Sequence, residues 1–253
     1  MDYESWLEEA ADIAEKASEV ALSFFRQALL IEMKENGTPV TNADKKTEMV
    51  IREELAKSFP EHGVFGEEFG EEKKDSRYVW TIDPIDGTRS FMRGIPLFGT
   101  LLALIENGEP VIGIMVLPAI GETYVAAKGV GAYCNGTRIQ VSPITTLESA
   151  FVACGDTSCF DTVGKMSYLQ SLQKKTEECR GYTDCFGHSL VMRGALDAMV
   201  DPIVNLWDVA PLACLIKEAG GNYFTFEGIE THVGPSFISC ATPQLKDELL
   251  RLG

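Results

Sequence analysis

Apolar positions recur every three to four residues from the start of the chain: Trp6, Leu7, Ala10, Ile13, Ala14, Ala17, Val20, Ala21, Phe24, Phe25 and Ala28. Polar residues fill the gaps, so the spacing predicts one long amphipathic helix over residues 3–29. A second helix is predicted from about Asp44 to Phe59, with Asn42 or Asp44 near its start and Pro60 after it. The period then changes from helical to alternating. "YVWTID" reads as a strand, and "FGTLLALIENGEPVIGIMVLP" as two strands around an Asn-Gly turn. "TYVAAKGVGAYCNGTRIQVS" repeats that arrangement around a second Asn-Gly, and the antiparallel block ends near Ser142.

The polar, turn-rich "PITTLES" marks a boundary, giving an N-terminal α+β part over 1–143 and a C-terminal α/β part over 144–253. Strands and helices alternate in the second part. "AFVACGD" reads as a strand, residues 162–178 as a helix, "GYTDCF" as a strand and "HSLVMRGAL" as a helix. "DAMVD" follows as a strand, then a helix from about Trp207 to Ala219, the strands "NYFTF" and "FISC", and a closing helix "PQLKDELLRL". The expected architecture is α/β layers facing each other.

At 253 residues and 45% hydrophobic content the chain has enough apolar material for a large core. Lysine and arginine number 22 against 38 acids, a formal charge of -16. That balance argues against nucleic acid and anionic membrane as partners, since both attract basic surfaces. A phosphorylated substrate remains open, because bound cations supply positive charge locally. The seven cysteines form no CxxC pair, and the acidic, amphipathic N-terminus is not a targeting segment, so a soluble cytoplasmic protein is expected.

The chemistry concentrates in "WTIDPIDGTRSF". Asp83 falls at the C-terminal end of the predicted strand, where ligands gather in α/β sheets. Pro84 biases Asp83 towards extended geometry, Asp86 lies beyond the bend, and "TRSFM" opens a short helix with free N–H groups. Two carboxylates beside an anion cradle make sense when hard cations bridge them, and magnesium shares its coordination with phosphate in this way. A lone DxxD is otherwise an acidic turn. Glu67 and Glu68 in "VFGEEFG", Asp208 in "NLWDVAPLACLIKEAGG" and Asp44 in "TNAD" read singly as surface or helix-start acids. Four such features in one chain favour a carboxylate metal site.

Together, "WTIDPIDGTRSF" and "WDVAPLACLIKEAGG" resemble the two signatures of the inositol monophosphatase family of magnesium-dependent, lithium-sensitive sugar phosphatases. "GEE" and "TNAD" match its other site segments in the right order. The resemblance covers nearly the whole chain. It implies a layered αβαβα sandwich, usually dimeric, with two or three Mg2+ ions per site and hydrolysis of phosphate monoesters by direct attack of water. It further implies that Glu67, Asp83, Asp86, Asp208 and the Ile85 carbonyl ligate metal. Asp44 with Thr88 would orient the attacking water, Glu68 would support them, and the Gly87 and Thr88 amides would cradle phosphate. Aspartates one residue apart, the Cys-x5-Arg loop and the Walker loop, each the mark of another phosphate-handling class, are missing from the sequence.

"TRSFM" and "GYTDCFGHSLVMRGALDAMVDP" look more like the histidinol-phosphatase branch than the inositol branch. Histidinol phosphate carries an ammonium near its ester oxygen, and its pocket needs an acid beyond the metal ligands. Asp184 and Asp201 are the candidates, with a helix cap and a strand end as their respective alternatives. Arg89 and Arg93 are candidate substrate contacts or surface charges, and His188 stands where that branch tends to place an aromatic. Inositol 1-phosphate or a broader set of sugar phosphates is the second reading, and a catalytically idle metal-binding protein the third.

Overall fold

Helix and sheet layers alternate in the computed structural model, which describes residues 3–34, 37–73 and 75–252. The first layer is the helix pair Tyr3–Phe24 and Asn42–Ser58. Leu7, Ala10, Ile13, Ala14 and Ala17 of one helix, with Ile51 and Leu55 of the other, pack on Trp80, Ile82, Leu102, Leu104, Ile112 and Ile114. These six belong to one face of an eight-stranded sheet. Its order is Thr137–Arg138, Gly131–Cys134, Glu122–Ala127, Glu109–Leu117, Gly99–Glu106, Tyr78–Asp86, Gly63–Gly66, Gly70–Glu72.

The opposite face presents Leu101, Met115 and Tyr124 to a middle layer, the helices Asp184–Met192 and Leu206–Glu218. Beyond them lies a five-stranded sheet in the order Glu178–Gly181, Phe151–Cys154, Ala198–Asp201, Phe237–Cys240, Asn222–Phe224. Ala153, Met199 and Phe237 face inward, while Val152, Val200 and Ile238 pack outward. The outer helices Thr157–Thr162, Met166–Lys175 and Pro243–Leu250 cover them. The result is the αβαβα sandwich expected from the sequence. Among the described residues, no helix is long and apolar enough to cross a membrane. All seven cysteines are free.

Alternation fixes where the chemistry emerges. Trp80 and Ile82 are fully buried against the first helix layer. Slipping the strand by one residue would turn Thr81 and Asp83, both buried on the other face, into this apolar layer in their place, where their polar groups would lack partners. The register is therefore held, and Asp83 faces the other way, towards the middle helices. Between Asp83 and Asp86 the pairing with Gly99–Glu106 shifts: Asp83 sits opposite Leu101, but Asp86 opposite Gly99. Pro84 lies inside this bulge, where its missing N–H breaks no ladder bond. The extra residue reverses the alternation, so two aspartates three apart reach the same side of the sheet.

Both Asn-Gly turns take left-handed φ at both positions: 50° and 87° at Asn107 and Gly108, 48° and 75° at Asn135 and Gly136. Several expectations need correction. The first helix ends at Phe24, not near residue 29. Arg26 adopts φ 60° and its guanidinium donates to the Gly94 carbonyl, while Phe25 turns onto Phe98 at 5.0 Å between ring centroids. Apolar periodicity continued past the helix because those rings pack elsewhere. The helix expected over 162–178 is the shorter Met166–Lys175, and a separate helix, Thr157–Thr162, precedes it across Gly164, whose φ is 68°. The strand expected in "GYTDCF" lies earlier, at Glu178–Gly181, because the helix already begins at Asp184. A ribbon of Ile31–Met33 with Pro39–Thr41 had no counterpart in the reading.

Candidate active site

Asp83, Asp86 and Asp208 converge, each offering a carboxylate oxygen within 4.8 Å of the others. Each is aimed by a backbone amide. Ile85 N–H donates to Asp83 Oδ1 at 3.0 Å, Cys185 N–H to Asp86 Oδ2 at 2.6 Å, and Asn205 N–H to Asp208 Oδ2 at 2.7 Å. Asn205, not Asp208, caps the helix Leu206–Glu218; Asp208 is its capping-box partner in the first turn.

The loop after Gly63–Gly66 brings Glu67 and Glu68 to the same cleft. Lys34 Nζ lies 2.8 Å from Glu67 Oε1 and 2.8 Å from Glu68 Oε1, a contact that the sequence reading missed. Asp44 is fully buried. Thr41 is the cap of the helix that carries it, and Asp44 Oδ2 accepts from the Thr41 amide at 2.8 Å and its hydroxyl at 2.5 Å. Thr88 Oγ1 lies 3.0 Å from the Ile85 carbonyl and 3.4 Å from Asp44 Oδ1, so Ile85 holds the shorter bond.

Gly87 opens the helix Thr88–Met92 with φ 82°. A Cβ there would stand 3.0 Å from the Leu97 carbonyl and 3.2 Å from Asp184 Oδ2, so glycine meets both a conformational and a steric need. The cleft, about 520 Å³, is lined by Glu67, Asp83, Ile85, Asp86, Gly87, Thr88, Arg89 and Asp208. Gly155, Asp156, Thr157, Thr183 and Asp184 of the second sheet's side complete its wall. Arg89 is exposed at the rim, and Arg93 is exposed outside the lining. Asp184 follows the capping residue Thr183 and takes φ 57°, which aspartate tolerates better than most residues. Asp201 borders a smaller chamber, about 60 Å³, with Asp86, Asp184 and His188.

Burial, followed by the charges of Glu67, Asp86 and Asp208, pushes the Asp83 carboxyl well above its ordinary range. Burial, then Asp184 and Asp208, does the same to Asp86. Asp208 and Glu68 are each pushed up to about 7, and Asp184 to about 6, with burial the largest cause in every case. Burial also raises Asp44. Carboxylates packed this closely, with other carboxylates as their main charged neighbours, stay ionised when a cation joins them. The donors are all oxygen, and three converge, so the residues fit a hard divalent ion better than a soft one.

The chain is similar to known proteins along nearly its whole length. A histidinol-phosphatase of Chlorobaculum parvum is 36% identical over 249 residues, covering 98% of this chain and 96% of its own. A fructose-1,6-bisphosphatase/inositol-1-monophosphatase of Thermotoga maritima is 35% identical over 214 residues, 84% of this chain and 81% of its own. The crystal structure of the extragenic suppressor protein suhB of Bartonella henselae superposes with a TM-score of 0.92 at 27% identity, covering 98% of each chain. The model of the inositol monophosphatase family matches residues 2–252, and the chain belongs to that family.

Proposed function

We propose that this chain is a magnesium-dependent phosphatase that hydrolyses histidinol phosphate to histidinol and phosphate. The observation that carries the hydrolytic reading is the convergence of Asp83, Asp86 and Asp208 in a cleft that Gly87 and Thr88 also line. Glu67, Asp83, Asp86, Asp208 and the Ile85 carbonyl are the groups to hold two or three magnesium ions. Bound there, the ions would acidify water and neutralise phosphoryl oxygens.

The chain's own part is orientation. The Thr88 hydroxyl has Ile85 and Asp44 as proton acceptors, which turns its oxygen lone pairs towards a water in the cleft. Glu68, tied to Lys34, supports that side. Backbone amides at Gly87 and Thr88 supply phosphate contacts without a side chain in the way. Asp184 stands beside Gly87 and suits the substrate ammonium, with Asp201 behind it and Arg89 at the rim. The names of the relatives favour histidinol phosphate, three histidinol-phosphatases lying at 34–36% identity over at least 95% of this chain. Inositol 1-phosphate and fructose 1,6-bisphosphate are the second reading, on the names of relatives at 33–37% identity over 76–84% of the chain. Lithium inhibition, a homodimer and a cytoplasmic setting accompany the reading as extensions of family resemblance.

Phosphate release from these three esters, with magnesium and with EDTA, tests it. Preference for histidinol phosphate, abolished by EDTA, is expected. Equal turnover in EDTA would sink the metal reading, and preference for a polyol ester would replace the substrate.

A further inference from the structure

Glu48 lies one helical turn after Asp44, on the same face of the helix Asn42–Ser58, and is fully buried. A buried carboxylate needs several donors to offset its lost hydration. Its donors are informative. Glu68 N–H donates to Glu48 Oε2 at 2.7 Å and Phe69 N–H to Oε1 at 3.2 Å. Arg52 Nε donates to Oε1 at 2.7 Å. The Arg52 fork then continues to the Gly70 carbonyl at 2.5 Å and to Glu72 Oε1 at 3.0 Å. One ion pair on one helix thus grips the turn at Glu68 and Phe69 and the edge strand Gly70–Glu72 that follows it, and that turn presents Glu67 and Glu68 to the cleft.

Gly66 shows how closely the parts are fitted. A Cβ there would run into the Glu48 carboxylate and lie 2.9 Å from Arg52 Nη2. The loop passes against the ion pair with no room for a side chain.

We infer that Glu48, braced by Arg52, is a positioning residue that holds the loop amides so that Glu67 and Glu68 point into the metal site. The inference rests on the metal-dependent reading of the cleft. Since Asp44 sits one turn earlier, the same helix sets both the acid near Thr88 and the acids of the neighbouring loop. Carboxylates repel one another where no cation joins them, and without the clamp the turn relaxes outward. The metal requirement should therefore suffer more than the chemistry.

The test compares Glu48→Gln with Gly66→Ala, which disturbs the same contact without touching the buried charge. Amide hydrogen exchange at Glu68 and Phe69 is measured in the metal-free protein. The magnesium concentration at half-maximal thermal stabilisation is measured beside the rate at saturating magnesium. Both variants should exchange faster at the two amides and need about tenfold more magnesium, the scale typical of supporting groups around a metal. The saturated rate should largely recover. Should Glu48→Gln fail to fold, Gly66→Ala and Arg52→Lys carry the same measurements. Unchanged exchange in the folded variants would overturn the clamp. Faster exchange with an unchanged magnesium midpoint would overturn its link to the metal. Absence of magnesium stabilisation and turnover in the wild-type protein would refute the metal-dependent reading instead, with exchange still reporting whether Glu48 holds the loop.

Discussion

His188 Nε2 stands 3.0 Å from Asp201 Oδ2, while its Nδ1 stands 2.8 Å from Ser239 Oγ. The ring is 1% exposed, so both nitrogens depend on these partners. With Nε2–H donating to the carboxylate, Nδ1 accepts the serine hydroxyl, and the ring orientation is set from both ends. A Cβ at Gly155 would collide with Asp201 Oδ1, so the carboxylate is confined on that side too. Asp201 is a held acid rather than a free strand end.

Replacing His188 by Phe keeps the bulk and removes both bonds. Leaving buried partners unpaired costs about 1–3 kcal/mol, which lowers the melting temperature by roughly 2–12 °C in a chain this size. If Asp201 contacts substrate, KM should rise with it. An unchanged melting temperature together with an unchanged KM would show that the pair does neither job.

Metal removal should invert the pH dependence of stability usual for paired carboxylates. Burial raises Glu68 and Asp208 from the ordinary carboxylate range to about 7, and Asp83 and Asp86 lie well above that range too. A folded pKa above the unfolded one gives stability that is present at low pH and lost as pH rises through the folded value. In EDTA the melting temperature should therefore fall from about pH 5 to about pH 8, and magnesium should restore more at the upper end. Asp86→Asn should abolish turnover while stabilising the metal-free protein near pH 8. A melting temperature in EDTA that climbs across this range would contradict the repulsion.

The layers were legible because burial writes its period into the chain: Trp80 and Ile82 alternate, and Leu7 to Ala21 keep helical spacing. Asp83 and Asp86 stood out because an apolar strand ends on them. What stayed hidden depends on partners distant in sequence. Phe25 looks helical until Phe91 and Phe98 claim it. The roles of His188 and Glu48 appear only when a strand or loop arrives beside them. Asp44 and Asp208 do stand in the first turns of their helices, while the cap positions themselves belong to Thr41 and Asn205.

Thr88→Ala removes the hydroxyl shared between Ile85 and Asp44. If that hydroxyl orients attacking water, kcat should fall far more than KM rises, the pattern of an interaction made chiefly in the transition state. A KM defect with an unchanged kcat would make Thr88 a phosphate contact instead.

Substrate choice turns on Asp184. Its carboxylate accepts from Thr183 Oγ1 at 2.8 Å and lies beside Gly87, with its pKa pushed up to about 6 by burial and then by Asp201. Asn is the right replacement, because it tolerates the left-handed φ of 57° that Ala would strain. If the carboxylate meets the ammonium of histidinol phosphate, Asp184→Asn removes a charge-assisted bond worth roughly 1.5–3 kcal/mol. Catalytic efficiency on that ester should drop about ten- to hundredfold, with inositol 1-phosphate spared. In the wild type, the preference should weaken as pH falls below about 6 and the acid gains its proton. Equal losses on both esters would make Asp184 a support for Asp86 and its neighbours, and no loss on either would place it outside the contact.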